Sequence, residues 1–200
     1  MLWDDFMNSL HRDWRGDGRE DDRLDDPAWL RQWADKLPLA ASEMPDEEQL
    51  DSLKRLRVLL HRMARAFVDV RLPEAADFEQ LNERMARGQV ARRLSAFSEG
   101  ESGRYEVELV PLESGWPAVE AEIAASFAAM LSEGEPSRIR FCDNPSCLWV
   151  YYDDTRNRSK RYCDDKLCGN LMKVRRFRAR KKAEAAAATG SGRSSDDSPS

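Results

Sequence analysis

"RFCDNPSCLWVYYDDTRNRSKRYCDDKLCGN", residues 140–170, holds all four cysteines of a 200-residue chain. They form two pairs, Cys142 with Cys147 and Cys163 with Cys168, with four residues between the members of each pair and fifteen between the pairs. Each pair closes a tight loop on which two thiolates converge, and the turn formers Asp143, Asn144, Pro145 and Ser146 suit the first loop. Two such loops complete the tetrahedral four-ligand shell that zinc prefers. About 45 residues can scarcely bury enough surface to fold unaided, and a metal is one usual remedy.

The expectation is therefore one structural Zn2+ on Cys142, Cys147, Cys163 and Cys168. Disulfides, an iron–sulfur cluster and unrelated buried thiols are the alternatives, and spacing and compartment weigh against them. Near its start the chain carries acids where a secretory signal would carry Lys or Arg, and no apolar run nears the ~20 residues of a bilayer span. A cytoplasmic protein without a membrane partner is expected, where thiols stay reduced. With all four positions filled by sulfur, no water could enter, so the metal would be structural rather than catalytic.

The net charge of −5 conceals a division. Residues 138–182 hold 14 Lys/Arg against 5 Asp/Glu, while the remainder holds 18 against 32. Within "KVRRFRARKK", Lys173, Arg175, Arg176, Arg178, Arg180, Lys181 and Lys182 stand without an acid. Arg156, Arg158, Lys160 and Arg161 add to them from the turn between the cysteine pairs. A solvated charge run normally mixes signs; a one-signed helix attached to a zinc module is an electrostatic footprint for nucleic acid. These eleven residues are the candidate nucleic-acid contacts, and an acidic protein partner, RNA or the chain's own acidic body is the alternative. A homodimer and a small-molecule effector of the N-terminal part stay open.

The rest reads mainly as helix. Asp26 and Pro27 start one. After Pro45 the spacing of Leu50, Leu53, Leu56, Leu60, Met63, Phe67 and Val70 draws one apolar face. A third helix after Pro73 carries Phe78, Leu81 and Met85, weakening near Gly88, and "WPAVEAEIAASFAAMLSEG" gives a fourth. Tyr105, Val107 and Leu109 alternate with glutamates, the pattern of a half-buried strand. In the cysteine module, "LWVYYDDTRNRSKRY" reads as strand, turn, strand, with Trp149 and Tyr151 on one side and Leu148, Val150 and Tyr152 on the other. The helix after it carries a seam of Leu167, Leu171, Val174 and Phe177 to pack on that hairpin. The fold class is α+β: a mostly helical N-terminal domain with a short strand element over 1–134, a small treble-clef-like four-cysteine zinc finger over 138–182, and a disordered tail over 183–200. No phosphate loop, nucleophile elbow or Ser/His/Asp constellation appears, so no enzyme is expected. His11 and His61 lie far in sequence from the cysteines and read as packed or solvated.

The two cysteine pairs, the Asp-Thr-Arg-Asn turn at 154–157, Cys168-Gly169-Asn170 and the arginine-rich end resemble the CGNR zinc finger. "LWDDFMNSL", "DRLDDPAWLRQWADKLPL" and the later helices are similar, more loosely, to the ABATE domain that accompanies it. The resemblance implies a bacterial transcription regulator that binds DNA through the finger. Leu171 stands where the family's naming motif has arginine, and Tyr162 where tryptophan is usual.

Overall fold

The computed structural model describes residues 1–15, 18–37, 43–96 and 105–190, with 188–190 as backbone alone. Among the described residues there are six α-helices: α1 (Leu2–Met7), α2 (Pro27–Ala34), α3 (Glu47–Val68), α4 (Ala75–Met85), α5 (Trp116–Glu133) and α6 (Asn170–Gly190). Three antiparallel ribbons accompany them: β1 (Leu10–Arg12) with β2 (Glu20–Asp22), β3 (Val90–Ala96) with β4 (Tyr105–Pro111), and β5 (Ile139–Phe141) with β6 (Val150–Tyr152).

The helix starts follow local chemistry. Asp26 accepts hydrogen bonds from the Ala28 and Trp29 amides, with Pro27 in the first turn. Asp46 and Gln49 form a reciprocal capping box ahead of α3. Leu53, Leu56, Leu60 and Met63 then present one buried face. It meets Val119, Ile123 and Phe127 of α5 and a short α1 whose Trp3, Phe6 and Met7 are wholly buried. Trp3 meets Phe127 edge to face, ring centres 5.6 Å apart. His61 is packed, as expected: its Nε2–H donates to the Met7 carbonyl at 3.1 Å, and burial holds the imidazole below its ordinary range.

Buried polar groups tie this core together. Glu120 in α5 accepts from Ser52 at 2.9 Å, from Arg84 and from Arg87 at 3.0 Å. Arg57 of α3 makes a two-pronged bond to Asp22 and a 2.7 Å bond to Ser9. Burial would raise the Asp22 carboxyl, but Arg57 outweighs it and holds it below the usual range.

Ile139 and Val150, from either side of the first cysteine pair, are fully buried in this same core. The Asn8 side chain completes the join, donating to the Val150 carbonyl at 2.8 Å and accepting its amide at 2.9 Å. The sequence boundary near 134–138 is thus not a gap in packing.

The structure corrects several expectations. Val70 is 93 % exposed, because α3 stops at Val68 and Val70 turns into the left-handed region at φ 57°. Phe78 faces solvent in part. The Tyr105–Leu109 face is open rather than half-buried, and its partner strand β3 was not foreseen. In the cysteine module the hairpin pairs β6 with the upstream β5, not with the stretch before Cys163, although the predicted sides of Trp149, Tyr151, Val150 and Tyr152 hold. Leu167, Val174 and Phe177 are exposed; the helix packs through Met172 instead. Finally, α6 runs to Gly190 through an alanine run of high helix propensity, over the first part of the expected tail. Residues 191–200 lie outside the described residues.

Two stability outcomes follow. Removing a buried ionic partner strands the others, so Glu120→Ala should lower unfolding free energy by about 3 kcal/mol in chemical denaturation. Val70 bears a branched side chain where helices favour glycine, so Val70→Gly should raise stability by about 0.5–1 kcal/mol in the same assay.

Candidate metal centre and basic helix

The first cysteine loop is built by backbone bonds. The Cys147 amide donates to the Asn144 carbonyl at 2.8 Å, and the Cys142 amide to the Trp149 carbonyl at 2.9 Å. The second pair sits on a wide helical turn over Asp165–Gly169, immediately before α6. Asp164 starts that turn by accepting the amides of Lys166 at 2.7 Å and Leu167 at 2.8 Å.

These two loops bring the four Sγ atoms within 4.8 Å of one another. Cys147 and Cys163 sulfurs are 3.8 Å apart, Cys163 and Cys168 sulfurs 3.7 Å. A tetrahedron with Zn–S bonds near ~2.3 Å has edges of about 3.8 Å. A disulfide needs about 2.05 Å, and all four cysteines are free thiols. The donor set therefore fits one four-coordinate, thiolate-preferring ion and leaves no open position. Three of the thiols are buried and Cys163 half-buried, closed in by Tyr151, Tyr162, Trp14, Trp149 and Met172.

Electrostatics shows what the cluster lacks without a cation. Hydrogen bonds from Cys147 and Cys163 pull the Cys142 thiol down to about 2. The same contact with Cys142 pushes Cys147 up to about 12, and Cys163 is pushed up as well, first by Cys142 and then by Cys147. Ionised Cys142 thus opposes ionisation of Cys147 and Cys163. A divalent ion reverses this balance, so loading it must expel protons.

An outer layer holds the thiols in place. Asn144, fully buried, donates to the Cys168 sulfur at 3.4 Å and to the Trp14 carbonyl at 3.3 Å. The Tyr151 hydroxyl donates to the Lys160 carbonyl at 2.9 Å. Asp153, also fully buried, anchors the turn between the pairs by accepting from the Thr155 amide at 3.0 Å and the Lys160 amide at 3.1 Å. Asn8, Asn144 and Asp153 were missed in the sequence. Only the turn preference of Asn144 and Asp153 hinted at them.

The eleven basic candidates divide by what they touch. Arg175 donates to Asn144 and Ser146, both at 3.4 Å, and to the Arg15 carbonyl at 3.3 Å. Arg176 donates to the Tyr162 hydroxyl. Lys160 lies 4.9 Å from the Tyr151 ring centre. These three fasten the finger. Arg158 pairs with Glu135, Arg161 with Asp143, and Arg180 and Lys181 with Glu184. Arg156, Lys173, Arg178 and Lys182 are exposed and have no ion-pair partner among the described residues. Met172, Arg175 and Arg176 make the inward contacts of α6, so Val174, Phe177 and Lys181 lie on the outer face, with Lys173 and Arg180 to one side and Arg178 and Lys182 to the other. Leu171 is half-buried.

A helical body joined to a closed four-thiol module and a cationic helix defines a zinc-finger type of protein. Family comparison resolves it further. The ABATE model, described as "Putative stress-induced transcription regulator", matches residues 2–134, and the CGNR zinc finger model matches residues 138–181. The chain belongs to the ABATE family and carries a CGNR zinc finger, whose four clustered cysteines support one structural zinc ion. Both matched families are of regulator or zinc-finger type rather than enzyme families. Comparison with curated proteins gives no match. No helix among the described residues is long and apolar enough to cross a membrane.

Elemental analysis should find one zinc per chain. Because binding must displace protons, a chelator should strip the metal more readily at mildly acidic than at mildly alkaline pH. Cys168→Ser should lower both zinc content and the thermal midpoint of the whole chain, since the Asn8–Val150 join couples the finger to the body.

Proposed function

We propose that this protein is a DNA-binding regulator, with Cys142, Cys147, Cys163 and Cys168 holding a structural zinc that fixes α6 for contact with duplex DNA. The observation that carries this reading is the sorting of charges on α6. Its inner arginines are engaged in fastening, whereas Lys173, Arg178 and Lys182, with Arg156 from the turn, are exposed and unpaired among the described residues. Unpaired cations on a rigid mount are the elements that neutralise phosphates and release counterions. Val174 and Phe177 add apolar surface between the flanking cations, suited to thymine methyl groups at base edges.

The test is duplex binding by the full-length, zinc-loaded protein across a salt series. Four phosphate contacts give a slope of log affinity against log salt of roughly −4, at about −0.9 each. Lys173→Ala, Arg178→Ala or Lys182→Ala should each make the slope shallower by about one, with little change in thermal stability. Arg176→Ala should lower stability first, because it loosens Tyr162 against the thiol cluster. Absence of salt-dependent duplex binding, with retained binding to RNA or to an acidic protein, would transfer the basic surface to that other partner.

A further inference from the structure

The β3–β4 ribbon has one face that nothing in the described chain covers. Its register pairs Val90 with Pro111, Leu94 with Val107 and Ala96 with Tyr105, so these side chains and Leu109 share a face with a single cation, Arg92. Leu94, Tyr105, Val107 and Leu109 are 60–69 % exposed and Val90 is 48 % exposed. An isolated two-stranded ribbon is marginal in water, and a contiguous exposed apolar face marks an interaction surface.

At its root the face runs into a groove of about 390 Å³ along α5, where Val90 and Leu109 meet Ala118, Ala121, Ala125 and Ala129, with Glu122 as the one carboxylate. Gly88 makes this close approach possible, since a Cβ there would lie 2.5 Å from that of Ala121. Arg92 and Glu122 are both exposed, and neither has an ion-pair partner among the described residues.

We propose that the occupant is a second copy of this chain, in an isologous dimer. Each ribbon lays its apolar face into the alanine groove of its partner, with Arg92 meeting the partner's Glu122 in both directions. Face and groove are continuous on one surface, which is what a two-fold interface requires. Seven-residue strands extend about 24 Å. A ribbon of that length seated in a groove, twice over, is of the order of the ~800 Å² per partner that stable dimers bury. The proposal is independent of the nucleic-acid reading.

The test is sedimentation equilibrium of the full-length, zinc-loaded protein without nucleic acid. Wild type should show twice the 22.9 kDa chain mass. Leu94→Glu combined with Leu109→Glu should give monomer with an unchanged helical spectrum. Arg92→Glu alone and Glu122→Arg alone should each weaken dimerisation about tenfold or more, and the two together should restore it. These two are surface changes, so they keep the test decisive if the leucine variant misfolds. Wild type that stays monomeric, a dimer indifferent to the leucine changes in a folded chain, or charge swaps without mutual rescue would each overturn the proposal.

Discussion

Four thiols within 4.8 Å of one another cannot all ionise unless a cation lies among them. That constraint organises the C-terminal third of the chain. It fixes where the Asn144 loop closes, where the wide turn over Asp165–Gly169 begins and hence the direction in which α6 leaves. Tyr151, Tyr162 and Met172 cluster with the sulfurs in a small core separate from that of the body. Stability here is held in metal–ligand bonds more than in buried area.

The finger is nevertheless continuous with the body. Val150 is buried on the body side while its neighbour Tyr151 is buried on the thiol side, so one three-residue strand serves both cores. Period-two alternation makes this possible, since successive side chains leave a strand in opposite directions. Asn8 supplies the backbone partners that no further strand provides at Val150. Phe141 extends the join, with Arg65 of α3 stacked 3.7 Å from its ring centre.

Much of this was legible in the sequence. The cysteine spacing, the capping residue Asp26, the helix start after Pro45 and the leucine stripe of α3 each state a local physical requirement, and each recurs in the fold. What was not legible has a common cause. Alternation in Tyr105–Leu109 and the helical seam through Val174 and Phe177 tell which side chains share a face, not whether anything covers it. Charge composition gave eleven basic candidates but could not separate Arg175 and Arg176, which fasten the finger, from Lys173 and Arg178, which do not. That distinction needs Asn144 and Tyr162 in place, and both are positioned by contacts distant in sequence.

The wide turn at Asp165–Gly169 also acts as a phase setting for α6. A turn of this type holds one residue more than an ordinary helical turn, and each residue rotates the following helix by about 100°. Losing that residue would leave the helix intact while swinging Arg175 and Arg176 off their anchors and bringing other side chains inward. The orientation of the whole cationic surface is thus set by the residue count of one turn, as the offset of a screw thread is set by where it starts.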